Sequence, residues 1–403
     1  MKSKIAQGHP FEAFSNIIEF SFDAILSAAI GLGPEGGDLK YQFDHLSALE
    51  NTDSCKVAAK LGRDELVDIP AAKMSVKLAA LLCEEESLWK GFYQPWPKLY
   101  HFVNKLQTSV RAASRTMRSF LESRIRTNGP KLRAGGQPES ALDYVIQREF
   151  KAAEKAGREP NLGDARIRDE IYGYLIAGHD TSGGTMVWLM RTLMAHPEEQ
   201  VKIRNSLHLT YQAAWAEKRL PTIAELSKND HYLSAFIEEV LRFSAPVVTV
   251  VVMTRMDTFI LGHPVPGDTQ VFLNLAGPSL NMRSVPIEEH VRSSTSQKHR
   301  PTKASWDDLD PTTFRPERWL KNDEQGNMIF DPSSGPTLAF SAGNRGCFGK
   351  RLAYLELRVV LTLLIWSFEF ELPPHLVSWK TYDSLVTAPE QCIMRVKDIL
   401  SDK

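Results

Sequence analysis

The sequence predicts a mainly α fold with a small β portion. Three observations carry it. Apolar residues recur at helical spacing in long stretches through the first two-thirds of the 403 residues. Past Pro246 the pattern changes to short β-branched runs punctuated by Gly and Pro. One more long apolar helix pattern then follows a glycine-rich turn near residue 347.

Taken in order, Phe14 to Ile30 has helical spacing and ends at Gly31 and Gly33. Residues 36–75 are polar and weakly patterned. Leu78 to Val103 carries Trp89, Phe92, Tyr93, Trp96, Tyr100 and Phe102. Such a cluster can line a pocket or touch a membrane surface, but packing core is the preferred reading. Ser109 to Arg126 is an amphipathic helix whose basic face (Arg111, Arg115, Arg118) reads as solvated. Gly129 to Gln137 reads as a loop containing Pro130, Gly135 and Gly136. A long helix is expected from Asp164 to Ala195, stopped by His196-Pro197. Another should run from Glu198 to about Lys218, and a third from about Tyr232 to Phe243. Val247 to Met253 and Thr258 to Val271 read as short strands, residues 284–313 as a polar connection, and Trp379 to Val396 as a short hairpin.

A length of 403 residues with 43% hydrophobic content is ample for a large core. A net charge of −1 gives nucleic acid no basic footprint to bind. Four scattered cysteines (Cys55, Cys83, Cys347, Cys392) form no Cys-x-x-Cys pair, which argues against a zinc site or disulfide scaffold and fits a reducing compartment. No transmembrane segment or signal peptide is visible; Val359 to Phe368 is apolar but too short to span a bilayer.

The most informative run is Phe340-Ser341-Ala342-Gly343-Asn344-Arg345-Gly346-Cys347-Phe348-Gly349. Dense glycines let backbone turn tightly and approach a flat ligand. Cys347 precedes a helix that starts near Lys350 and carries Leu352, Leu355, Val359 and Leu363. The free N–H groups at a helix start favour negative charge, so the thiol sits where a thiolate is stabilised. A small buried hydrophobe is the ordinary role of a cysteine. The spacing Phe-x-x-Gly-x-Arg-x-Cys-x-Gly points elsewhere. It resembles the haem-binding loop of the cytochrome P450 family at Phe340, Gly343, Arg345, Cys347 and Gly349. The resemblance implies that Cys347 is the axial thiolate of haem iron, that Phe340 shields the sulfur and that Arg345 pairs a propionate. An axial thiolate favours O–O cleavage.

A second run, Ala177-Gly178-His179-Asp180-Thr181-Ser182-Gly183-Gly184, lies inside the long helix. Interior glycines each cost a helix about 0.5–1 kcal/mol. Gly178 would leave room for a flat ligand, and Thr181 can bond back to the Ala177 carbonyl and bend the helix. Glycines serving helix packing, with a self-satisfied threonine, would be an even alternative if the run stood alone. The run resembles the family's oxygen-activation motif. That implies Thr181 as hydrogen-bond donor to the oxygen being activated and Asp180 as the group that feeds protons from solvent. His179 falls at the motif's variable position and is not read as a metal ligand.

A third feature pairs Glu239 with Arg242, three apart on one helix face, and places Phe314-Arg315-Pro316-Glu317-Arg318-Trp319 downstream. An exposed pair would matter little. These pieces resemble the family's Glu-x-x-Arg and Pro-Glu-Arg-Phe/Trp segments, which implies a buried structural network of Glu239, Arg242 and Arg318.

The resemblance runs from about Phe20 to the C-terminus and implies one domain over residues 1–403, a P450-like fold lacking its N-terminal part: anchor, most of the β-sheet, and the helix with Trp-x-x-x-Arg. A second departure is Val252, where the family usually has a propionate-binding arginine five residues before Asp257; the nearest arginine is Arg255. The implied activity is haem-thiolate monooxygenation of an apolar organic substrate with O2. NADPH-derived electrons would arrive through a cytochrome P450 reductase, since no dinucleotide fingerprint is visible. Leu261-Gly262-His263 and the insertion before Phe314 hint at fungal secondary metabolism. The family expectation for location is the cytoplasmic face of the endoplasmic reticulum, with peripheral membrane contact only. The alternatives are a truncated haem binder without turnover and a haem-thiolate isomerase or dehydratase.

Overall fold

A computed structural model describes residues 8–49, 62–68, 72–92, 94–260, 262–277, 280, 282, 288–299, 310–335, 337–384 and 386–400. Cys55, Tyr93, Leu261 and, of the 284–313 connection, residues 284–287 and 300–309 therefore lie outside the described residues. The chain forms two compact units. The first comprises residues 1–184, 373–385 and 390–395; the second comprises 185–372, 386–389 and 396–403.

The first unit is a helical bundle. Its helices are α1 (Phe14–Ile30), α2 (Asp38–Leu49), α3 (Val76–Phe92), α4 (Pro97–Asn104), α5 (Thr108–Arg133), α6 (Ala141–Lys155) and the front part of α7 (Ala165–Ala195). Helix α1 ends where expected, because Gly31 takes the left-handed conformation at φ 65° and its N–H caps the Ser27 carbonyl. Ser140 and Asp143 form a reciprocal capping box that starts α6. Phe22, Leu26 and Ile30 of α1 meet Leu78 and Leu81 of α3, Met117, Leu121 and Ile125 of α5, Leu142 and Ile146 of α6, and Ile171 and Leu175 of α7 in one buried cluster. The strand Phe11–Glu12 pairs antiparallel with the chain's end, Phe11 opposite Met394 and Glu12 opposite Ile393.

The second unit holds the rest of α7, then α8 (Pro197–Thr210), α9 (Gln212–Ala216), α10 (Ile223–Leu226), α11 (His231–Phe243), α12 (Ser294–His299) and α13 (Lys350–Ser367). Asp230 caps α11 by accepting the Leu233 N–H. Leu189 and Leu193 of α7, Ile203 and Leu207 of α8, Phe236, Ile237 and Val240 of α11, and Leu361, Ile365 and Trp366 of α13 are buried. The β portion is three short antiparallel pairs: Thr249–Met253 with Gln270–Asn274, Thr258–Ile260 with His263–Val265, and Leu320–Asn322 with Met328–Phe330. Further strands lie at Thr381–Asp383, Thr387–Pro389 and Ile393–Asp398.

Three local expectations need correction. The aromatic stretch is not core: Phe92, Trp96 and Phe102 are 66–73% exposed, because α3 stops at Phe92 and α4 presents its apolar residues outward. Helix α5 does not stop before Gly129 but runs through Pro130 to Arg133. Proline is tolerated there because it loses one bond of the last turn, while buried Leu132 still anchors the helix end. The helix expected from Glu198 to Lys218 breaks at Tyr211, whose ψ of 48° leaves the helical region and begins the separate turn α9. The basic face of α5 is solvated as read, with Arg111, Arg115 and Arg118 exposed.

Candidate active site

The second unit carries the cysteine loop. Ser341 and Gly343 both take left-handed backbone, at φ 56° and 65°. Glycine accepts that conformation freely; serine bears strain there. A single 3₁₀ turn, Gly343–Arg345, follows, and the Gly346 N–H closes it on the Gly343 carbonyl at 3.0 Å. The Cys347 N–H then bonds back to the Phe340 carbonyl at 2.8 Å. The result is a tight loop that ends at Gly349, the N-cap of α13. Among the described residues, Cys83 is half-buried and Cys392 buried, whereas Cys347 is exposed. Arg345 and Phe348 beside it are also exposed. The Phe340 ring lies behind the loop, 5.0 Å from the ring of Tyr354.

Glu239 organises the support. Its two carboxylate oxygens accept Arg242 Nε and Nη2 at 2.9 Å each, Arg318 Nε at 2.9 Å, Trp319 Nε1 at 2.9 Å and the Arg315 N–H at 2.8 Å. The side chains of Glu239, Arg242 and Arg318 are fully buried. Both guanidinium groups also donate to carbonyls, Arg242 to Leu280 and Pro311 and Arg318 to Asp310 and Thr313. A buried charge survives only when paired and hydrogen-bonded, and here one carboxylate is shared by two cations that also donate to backbone carbonyls.

The first unit carries the other candidate residues. Thr181 Oγ1 donates to the Ala177 carbonyl at 2.8 Å. Asp180 accepts a hydrogen bond from Ser384 Oγ at 3.2 Å. Burial pushes the Asp180 carboxyl above its ordinary range, opposed by His179 and by the Ser384 bond. The small pocket beside it is lined by Leu82, Glu85, Glu86, Asp180, Tyr382 and Ser384. Gly178 is a correction. A Cβ there would lie 2.5 Å from Ile25 Cδ1, so the space it frees is taken by α1 and not by a flat ligand. Gly183 does the same for Ile18, at 2.7 Å.

Sequence reasoning missed several partners. His179 is fully buried, its Nδ1 3.3 Å from Glu85 Oε1 and its ring edge-on to Phe22. Burial raises the Glu85 carboxyl, and His179 opposes that rise. Nothing local in the sequence links positions 85 and 179. The donor role of Trp319 has no signal in the Phe314–Trp319 run, since it depends on Glu239 lying within reach of the indole. Glu238 was hidden beside Glu239. Val252 sits on a strand opposite Val271, and Arg255 is exposed.

The donor set of the loop bears on whether it suits haem. Cys347 offers one exposed soft sulfur. Among the described residues no three His, Cys, Asp or Glu side chains converge to hold a bare ion. One protein ligand suits iron that carries its other ligands in a macrocycle, and the exposed Arg345 can meet the macrocycle's acid groups. The residues fit.

A mainly helical protein with an exposed cysteine at the end of a tight glycine-rich loop and a buried Glu–Arg–Arg network has the features of the haem-thiolate class. The profile of that family, Cytochrome P450, matches residues 60–283 and 285–396, and the chain belongs to it. The Hps1-dma1 cluster cytochrome P450 monooxygenase cyp3.1 of Dothistroma septosporum is 35% identical, covering 64% of this chain and 86% of that protein. Cytochrome P450 monooxygenase xilC of Penicillium rubens is 32% identical over 92% of this chain, which spans 63% of that protein's length. The crystal structure of the cytochrome P450DA heme domain superposes with a TM-score of 0.65 at 17% identity, covering 97% of this chain and 69% of that one; it speaks for the fold alone.

Proposed function

We propose that the protein acts in a haem-thiolate monooxygenase that inserts one oxygen atom from O2 into an apolar organic substrate of fungal secondary metabolism. The observation that carries this is Cys347, exposed at the end of a tight loop while Cys83 and Cys392 are not. Haem, when bound, would supply the oxygen-activating and electron-accepting chemistry. The chain's own residues do the rest. Cys347 is the iron ligand, held by its N–H to the Phe340 carbonyl. Gly343 and Gly349 shape the loop and Phe340 screens the sulfur. Arg345 pairs a propionate. Asp180, whose carboxyl burial shifts upward, hands protons inward, and the Thr181 hydroxyl orients them.

The relatives' names support the oxygen chemistry, and the gene-cluster name of one supports the pathway class. Electrons are assigned to NADPH through a cytochrome P450 reductase. Among the described residues no helix is long and apolar enough to cross a membrane. The exposed Phe92, Trp96, Leu99 and Phe102 suit peripheral contact with the endoplasmic reticulum on its cytoplasmic face. The test is the CO-difference spectrum of the reduced, haem-supplied chain. The parent should show a thiolate-type band, Cys347→Ala should lose it, and Cys83→Ala and Cys392→Ala should keep it. A band that survives Cys347→Ala ends this reading.

A further inference from the structure

One buried acid of the second unit has no role so far. Glu238 is 2% exposed on α11. It accepts a hydrogen bond from the hydroxyl of Tyr354, on the first turns of α13. The Tyr354 ring lies 5.0 Å from the Phe340 ring at 40°. Lys350 Nζ sits 5.5 Å from the Phe340 centroid and 5.8 Å from that of Tyr354, so one cation covers both rings. The Phe340 carbonyl in turn accepts the Cys347 N–H at 2.8 Å. Burial raises the Glu238 carboxyl; the Tyr354 bond, the Thr337 hydroxyl and the Lys350 ammonium oppose that rise, and Glu239 adds to it. Thr337 precedes the loop, while Lys350 and Tyr354 follow it. Residues on both sides of the cysteine loop thus converge on one carboxyl group.

Packing alone does not ask for this arrangement. A buried carboxyl is costly, and an apolar side chain on α11 would fill the same space without that cost. What the acid adds is direction. A ring packed on another ring can slide and turn; a ring whose hydroxyl is bonded to a fixed carboxyl cannot. We propose that Glu238 is a positioning residue for the iron ligand: it fixes Tyr354, and through the Tyr354 ring it fixes Phe340, whose carbonyl holds Cys347. The word ligand rests on the haem-thiolate reading; the hold on the loop does not.

The first measurement needs no haem. Hydrogen exchange, read by mass spectrometry on the full chain, follows residues 338–349, with residues 197–210 of α8 as the reference segment. Tyr354→Phe keeps the ring and removes the bond. It should speed exchange in 338–349 by about tenfold while 197–210 stays at the parent rate. Glu238→Gln keeps an acceptor and should bring 338–349 back to within about threefold of the parent. Parent-rate exchange in Tyr354→Phe overturns the proposal, and so does an equal increase in both segments, which would be general destabilisation. The second measurement uses the haem-supplied chain. Tyr354→Phe should convert a larger fraction of the CO complex from the thiolate-type to the thiol-type band than the parent does at the same pH. An unchanged fraction overturns the ligand-positioning claim. A parent band that does not depend on Cys347 overturns the haem-thiolate reading instead, and the exchange result then decides the hold on the loop by itself.

Discussion

Removing the Glu239 carboxylate takes the shared acceptor out of a fully buried charge network in the second unit. In Glu239→Ala, five donors lose their acceptor at once: two from Arg242, one from Arg318, the Trp319 indole and the Arg315 N–H. Breaking a buried ion pair by removing one partner typically costs about 3–5 kcal/mol. A stranded buried N–H adds about 1–3 kcal/mol, and the Trp319 indole supplies one. The carbonyls of Leu280, Pro311, Asp310 and Thr313 still receive the guanidinium groups, which offsets part of the loss. The net expectation is about 4–6 kcal/mol, comparable to the whole stability of a marginal domain. Glu239→Gln keeps the shape and one oxygen but not the charge, and should lose about 2–3 kcal/mol. Urea titration followed by tryptophan fluorescence, for parent and both variants, reads these differences directly, with haem occupancy as a second readout. An alanine variant within about 1 kcal/mol of the parent, with the same urea dependence, would mean the network does not hold this unit together.

Other predictions follow from separate features. Thr181→Ala should retain haem but divert electrons to reduced oxygen, lowering product per NADPH by roughly tenfold or more; equal coupling in variant and parent would remove Thr181 from proton handling. Gly178→Ala drives a methyl group to 2.5 Å from Ile25 Cδ1 and should cost about 1–3 kcal/mol. Trimming Ile25 to Val in the same chain should recover part of that loss in thermal melts, and strict additivity of the two changes would contradict helix packing as the reason for this glycine. Glu19 is buried, bonded to Gln42 at 2.8 Å, and pushed from 4.5 to about 7 by burial. The folded chain therefore binds more protons than the unfolded chain between pH 4.5 and 7, and stability falls as pH rises through that window. Glu19→Gln should abolish this fall, which is of the order of 2–3 kcal/mol; pH-dependent melts that coincide for variant and parent would refute the assignment.

The fold and most of the candidate site were legible where chemistry is local. Helix α1 ends at Gly31 because a left-handed cap needs glycine, and α7 ends at Ala195 because Pro197 follows. The Thr181 bond to Ala177 is an i−4 contact that helix geometry alone provides. Glu239 and Arg242 share a face for the same reason. What was hidden depends on long-range packing. The side of Gly178 that met another helix could not be chosen until α1 was placed against α7. The aromatic residues of α3 and α4 look like core in sequence, since exposure is a property of neighbours and not of side chains. Glu85 and His179 are 94 positions apart. Glu238 carries no signal of its own in the sequence, and only the approach of Tyr354 from α13 distinguishes it.

The Glu85–His179 contact also bears on how this chain can change over generations. His179 Nδ1 faces Glu85 in a site where both side chains are at most 8% exposed, and Ser21 Oγ holds the His179 carbonyl at 2.7 Å from the other side. Swapping the histidine for an apolar residue strands a buried acid. Swapping the acid strands a buried imidazole. Each single step crosses a stability valley that the paired step avoids. The two positions are therefore energetically coupled: an apolar residue at 179 is tolerated best where the acid on α3 is replaced with it, so the position before the Asp180-Thr181 pair is constrained in this chain.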